Sequence, residues 1–171
     1  YCTKTLTLYS NAHSKKHMAE NKINILYVDD EQNNLVSFKA TFRIKYNVHT
    51  AISGEDAIKI LRANPIDIII TDQRMPNMTG VEFLESILDE YPDPMRILLT
   101  GYADLNAVID AVNKGKIFHY LTKPWNEEEL DLTIKRAFEV YTLRKDEKEL
   151  TEKLGVTNAQ LEFLLRQQLL S

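Results

Sequence analysis

From Lys22 onward, short apolar runs alternate with segments whose apolar residues recur at helical spacing. Ile23–Val28 reads as a first strand, followed by a helix carrying Leu35, Phe38 and Phe42 and ending near Tyr46. Residues 47–51 form a short second strand, and Ser53 is placed to cap a helix with Ala57, Ile58, Ile60 and Leu61 inside, stopped by Asn64-Pro65. The third strand, residues 66–71, is nearly continuous isoleucine, as a strand buried on both faces should be. A helix from Gly80 to Glu90, a strand at 95–99, a helix from Ala103 to Asn113 closing on Gly115, and a strand at 117–121 follow. Five strand-then-helix repeats predict an α/β doubly wound parallel sheet, which binds ligands beyond the carboxyl ends of its strands.

Polar groups collect at those ends. The first strand runs into Asp29 and Asp30, the third into Asp72, the fourth into Thr100, and the fifth into Lys123. A lone acid there is ordinarily a turn or cap residue, but three acids, a threonine and a lysine at successive strand ends form a set. Clustered carboxylates disfavour one another's ionisation, and a divalent cation resolves the conflict. Oxygen ligands alone select a hard cation, Mg2+ or Ca2+, and Mg2+ keeps waters and uses one or two carboxylates together with a phosphate. With Asp72 as nucleophile and Lys123 and Thr100 holding the transferred group's oxygens, the set suffices for phosphoryl transfer to a carboxylate.

Bulk properties narrow the setting. At 171 residues the chain fits one domain and an extension, and 44% hydrophobic and 27% charged residues are ordinary for a globular protein. A net charge of −4 gives no global nucleic-acid footprint. The single cysteine, Cys2, excludes an internal disulfide and fits a reducing, cytoplasmic setting, and no apolar stretch is long enough to span a membrane. Residues 1–21 are polar and aperiodic, and Met18 is a plausible original start, so this segment is expected to be a vector-derived leader or disordered tail.

The motifs Val28-Asp29-Asp30-Glu31, Thr71-Asp72-Gln73-Arg74-Met75-Pro76 with Gly80, Leu99-Thr100-Gly101, and Tyr120-Leu121-Thr122-Lys123-Pro124 resemble the receiver domains of bacterial two-component response regulators. The resemblance covers residues 22–144 and implies a flavodoxin-like (βα)5 sheet in the order 2-1-3-4-5. It implies that Asp72 is the phosphoacceptor, served by a histidine kinase or phosphotransfer protein. It implies Mg2+ on Asp30, Asp72 and the Arg74 backbone carbonyl, with Asp29 acting mainly through water. Thr100 and Tyr120 would be the switch pair, altering the face formed by the fourth helix, fifth strand and fifth helix, and Lys123-Pro124 would be cis. Arg74 and Tyr102, bulky residues flanking the site, are expected to slow self-dephosphorylation.

Alternatives fare worse. Haloacid-dehalogenase-type phosphatases place a second acid two residues after the nucleophile, where this chain has Arg74, so turnover on phosphoesters is not expected. Neither glycine-rich nucleotide-binding motif is present. A scaffold that keeps only the fold is disfavoured by the complete acid, threonine and lysine set.

The last helix does not stop with the domain. Val140, Leu143, Leu150, Leu154, Leu161 and Leu164 follow three- and four-residue steps, interrupted by Glu147 and Thr157, with Gly155 as a weak point. Residues 145–171 are therefore expected to be a coiled-coil linker helix that makes a homodimer, with the pattern still running at Ser171 ahead of an output domain. Glycine-tyrosine and lysine-proline-tryptophan motifs resemble receivers that precede HD-type phosphodiesterases, cyclases or kinases. No helix-turn-helix is present, so neither nucleic acid nor membrane is an expected partner.

Overall fold

The structure is a computed structural model describing residues 22–170, the Tyr102 side chain excepted. The expectation for residues 1–21 lies outside the described residues. Strands β1 (Asn24–Val28), β2 (Asn47–Ala51), β3 (Ile68–Asp72), β4 (Met95–Thr100) and β5 (His119–Thr122) form one parallel sheet in the order β2-β1-β3-β4-β5. Helices α1 (Gln32–Phe42), α2 (Gly54–Ala63), α3 (Gly80–Ser86), α4 (Leu105–Asn113) and α5 (Glu127–Leu170) alternate with them, giving the expected flavodoxin-like fold with a long final helix.

The two-residue period of the strands sorts the core into two layers. Ile25, Tyr27, Ile68, Ile70, Ile97 and Leu99 pack against Phe38 and Phe42 of α1 and Leu130 and Ile134 of α5. Leu26, Val28, Ile69 and Leu98 face Ala57 and Leu61 of α2, Phe83 of α3 and Val108 of α4. Every residue of β3 is buried, as its isoleucine run requires. Register then sets the site, because Asp72 lies beside Leu99 and Thr100 beside Thr122, so the polar termini share one edge.

Several element bounds differ from expectation for local reasons. The third helix ends at Ser86, whose hydroxyl donates to the Phe83 carbonyl at 2.7 Å and competes with the helical ladder. Strand β3 starts at Ile68, because the Asp67 carboxylate takes the Asn24 N–H at 2.8 Å. A 3-10 turn over Tyr102–Asp104 precedes α4. Helix α5 runs through Gly155 without a break.

Helix α5 begins at the polar edge and runs to the opposite end of the sheet. Leu130, Ile134 and Ala137 are buried, and Val140 and Tyr141 still pack on the domain, so Val140 belongs to the core rather than to a free seam. Arg144 reaches the Met95 sulfur at the start of β4, 3.7 Å away, and Lys148 lies 3.8 Å from Asp93. Beyond this, Leu150, Leu154, Leu161 and Leu164 are 56–63% exposed. No helix among the described residues is long and apolar enough to cross a membrane.

One long-range polar contact clamps α5 to the turn after α1. The Tyr46 hydroxyl donates to Asp131 at 2.6 Å, and Lys135 and Lys45 lie 2.7 and 3.5 Å from the same carboxylate. Burial pushes the Asp131 carboxyl up, but these donors outweigh it and hold the group below its ordinary value. A depressed carboxyl contributes stability that is present above its unfolded pKa, about 3.9, and lost as pH falls through the lower folded value. Asp131→Asn is therefore expected to lose about 1 kcal/mol in urea unfolding at neutral pH. The gap to wild type should close as the pH drops below that unfolded value.

Candidate functional site

The site is assembled from four strand ends. Asp29, Asp30 and Asp72 each offer a carboxylate oxygen within 4.8 Å of the others, and Asp29 and Asp72 are only 1% and 6% exposed. Lys123, just past β5, inserts its ammonium between them, 2.6 Å from Asp72 Oδ1 and 3.4 Å from Asp29 Oδ2. Its preceding strand is anchored by the Lys123 N–H donating to the Thr100 carbonyl at 2.8 Å, and the Lys123–Pro124 peptide is cis, as expected.

Asp72 is held from both sides. Its Oδ2 accepts the Arg74 N–H at 3.1 Å, and the turn behind it is closed by Gly80 N–H donating to the Gln73 carbonyl. Position 80 admits only glycine without backbone movement, since a Cβ there would lie 2.3 Å from the Asp72 carbonyl oxygen. Burial pushes the Asp72 carboxyl above its ordinary value; Lys123 pulls it back, and Asp29 pushes it up again. Burial pulls Lys123 down, but the two carboxylates outweigh that and raise it, so it stays an ammonium.

Thr100 is wholly buried and its hydroxyl donates to the Gly101 carbonyl at 3.1 Å. Tyr120 is half-buried on the α2–α4 side of the core, its ring 6.0 Å from that of His119. The Arg74 guanidinium is exposed and pairs with Asp104 at 2.8 Å, tying the loop after β3 to the turn after β4. Asp29, Asp30, Asp72, Arg74, Thr100 and Lys123 therefore lie at this edge, with Tyr120 on the neighbouring strand β5; the side chain of Tyr102 lies outside the described residues.

Sequence reasoning missed the residues that hold Asp29. The Tyr27 hydroxyl donates to Asp29 Oδ2 at 2.7 Å, Asn34 Nδ2 donates to both oxygens at 3.1 Å, and the Glu31 N–H donates to Oδ1 at 2.9 Å. Burial pushes the Tyr27 phenol far above its ordinary value, and the hydrogen bond to Asp29 adds to this, so it remains a donor. A signal existed: residues two apart on a strand share a face, and Tyr27 sits two before Asp29. Gln73 was missed as well; its side-chain oxygen accepts the Val81 N–H at 3.1 Å and fixes the start of α3.

The charge balance suits a divalent cation, because three carboxylates face a single ammonium and all candidate ligands are oxygens. The arrangement is the acidic triad typical of the receiver Mg2+ site.

Comparisons with known proteins agree with this geometry. The profile of the family described as "Response regulator receiver domain" matches residues 25–135. The hydrogenase transcriptional regulatory protein HoxA of Cupriavidus necator is 35% identical over 129 residues, which cover 75% of this chain and 27% of that protein. The chain thus spans about a quarter of the length of such curated relatives. Among solved structures, one described as adenylate cyclase from Rhodopirellula baltica superposes with a TM-score of 0.74 and 32% identity, covering 78% of this chain and 98% of that one. The signal receiver domain of an HD domain-containing protein from Pseudomonas fluorescens gives 0.67 and 33%, covering 71% and 98%. Sequence, fold and acidic edge converge: the chain belongs to the response regulator receiver domains of two-component systems, signalling switches rather than turnover enzymes.

Proposed function

We propose that Asp72 accepts a phosphoryl group and that the C-terminal helix carries the resulting change to a dimer seam. Membership of the receiver family implies a phosphodonor partner such as a histidine kinase. The observation that carries the acceptor assignment is the Lys123 ammonium 2.6 Å from Asp72, inside a triad of buried and half-buried acids. An Asp72 oxygen attacks phosphorus, the bond from phosphorus to the donor imidazole nitrogen breaks, and the electron pair leaves with that nitrogen. Lys123, freed from its ion pair as the carboxylate becomes an acyl phosphate, turns to the phosphoryl oxygens, and the Thr100 hydroxyl leaves Gly101 to donate to another. Asp30, Asp72 and the Arg74 carbonyl would hold Mg2+, with Asp29 acting through water; when bound it shields the charge of the incoming group.

Movement of Thr100 opens space on the side of the sheet where Tyr120 is already half-buried, making this pair the switch. The chain from Lys123 leads directly through Trp125, which packs 6.1 Å from Phe38 and Phe42, into α5. Residues 22–144 act as the receiver and 145–171 as a coiled linker ahead of an output domain. The exposed Leu143, Leu150, Leu154, Leu161 and Leu164 give a seam for a second copy of the chain.

Acetyl phosphate with Mg2+ should label the wild type, and Asp72→Asn should take no label above background; a fully labelled variant would place the acceptor elsewhere. Arg74→Ala should shorten the phosphoryl half-life by opening the flank of the site to water, measured by loss of label after donor removal. Sedimentation velocity should show a dimer affinity that differs between the free protein and its beryllofluoride adduct. A Leu154→Arg/Leu161→Arg variant should remain monomeric in both states. Equal dimerisation with and without the adduct at all concentrations would sink the switch.

A further inference from the structure

Tyr27 is the only polar side chain among the five residues of β1 that reaches the acidic edge, and phosphoryl transfer as proposed gives it no task. Its ring is 1% exposed and stacked on Phe38 at 4.1 Å, a packing that phenylalanine would provide equally well. Burying the extra hydroxyl is unfavourable unless it is hydrogen-bonded, and its bond is spent on Asp29.

The distribution of donors gives that bond a consequence. A carboxylate has about four lone-pair positions. Asp29 receives the Glu31 N–H and Asn34 on Oδ1, and Tyr27, Asn34 and Lys123 on Oδ2. Both its oxygens are engaged, and none of the Tyr27, Glu31 or Asn34 donors goes to Asp30. The closest donor to Asp29 is the phenol at 2.7 Å, while the ammonium stands off at 3.4 Å and sits on Asp72 at 2.6 Å. Held by these donors, Asp29 is fixed in orientation, and the loosely held position on Oδ2, where the ammonium stands off at 3.4 Å, is the one a cation-bound water would use.

We infer that Tyr27 is a positioning residue of the acidic site, holding the Asp29 carboxylate in the orientation from which it would reach a cation-bound water while Asp30 and Asp72 act as the direct ligands. Without the phenol, Asp29 loses its shortest hydrogen bond and the carboxylate is free to turn toward Lys123. That turn would take its oxygen out of line with a water on a cation held by Asp30 and Asp72. This rests on the proposed Mg2+ site.

The test is a Mg2+ titration of the full chain by calorimetry, with Trp125 fluorescence as a second readout, on wild type, Tyr27→Phe, Asp29→Asn and the double variant. Tyr27→Phe should bind Mg2+ about tenfold more weakly, as expected when a partner behind the direct ligands is lost. In the Asp29→Asn background the same substitution should change nothing. An unchanged or tighter affinity in Tyr27→Phe, or an equal penalty with and without Asp29, overturns the inference while leaving the Mg2+ site intact. Absence of Mg2+ binding by the wild type overturns both. Should Tyr27→Phe fail to fold by circular dichroism, Asn34→Ala removes another donor from the same carboxylate and is held to the same Asp29 dependence.

Discussion

Three carboxylates share the carboxyl edge of this sheet with one ammonium, and the rest of the structure is arranged around that imbalance. At an effective dielectric of about 20, two unit charges 4.8 Å apart repel by roughly 3–4 kcal/mol, a sizeable fraction of a domain's net stability. Lys123 offsets part of this, yet Asp72 still sits above its ordinary carboxyl value because burial dominates. Keeping Asp72 ionised at neutral pH therefore costs folding free energy, and a cation or a phosphoryl group relieves it. The backbone near the site is correspondingly constrained by the Gly80 approach to the Asp72 carbonyl and the Gln73 side-chain bond to Val81. If Asp72 is the acceptor, as proposed, such a frame would pass a change of charge outward.

What could be seen in the sequence was what is local. The isoleucine run of β3 and the acids at strand ends are adjacent in the chain, and parallel pairing brings them together without further information. The capping of α2 by Ser53 was legible for the same reason, its hydroxyl accepting the Asp56 N–H at 3.2 Å. The early end of α3 was hidden, because Ser86 can face solvent or bond back to Phe83 and only the fold decides. Arg74 was placed over the acceptor, but its partner Asp104 lies 30 residues away, on a turn whose position depends on β4. Tyr27 was hidden differently. A tyrosine in a buried strand is ordinarily a core residue that keeps its hydroxyl satisfied, and here it is both core and ligand to Asp29.

Helix α5 has two halves with different sources of order. Leu130 and Ile134 are fully buried, each contributing on the order of 1.5–3 kcal/mol of transfer free energy, and Tyr46 with Asp131 adds a polar clamp. Past Lys148 the leucines of the helix, Leu150, Leu154, Leu161 and Leu164, are exposed among the described residues. An isolated helix of about 20 residues is marginal, and Gly155 weakens it by about 1 kcal/mol. In the proposed dimer the distal half would gain much of its stability from the copy that packs on its leucines, coupling pairing to helix order.

That division also answers how a site of a few ångströms can act over the length of this helix. The proximal half moves with the sheet edge, since Trp125 joins α5 to the aromatic packing of α1 and the Asn126 side chain accepts the Glu128 N–H at 2.7 Å. The thirty residues beyond Val140 extend roughly 45 Å at 1.5 Å per residue. A tilt of about 5° at the edge of the domain displaces the tip by roughly 4 Å, comparable with the 5.4 Å pitch that separates one layer of knobs from the next. Two helices in a coiled coil tolerate no such offset without repacking, so in the proposed dimer a seam of this length would convert a small rotation into a choice between registers. In the proposed dimer an interrupted stripe would make that choice closer in free energy: Glu147 and Thr157 at seam positions would weaken any single register, leaving alternatives within reach of a phosphoryl group on Asp72.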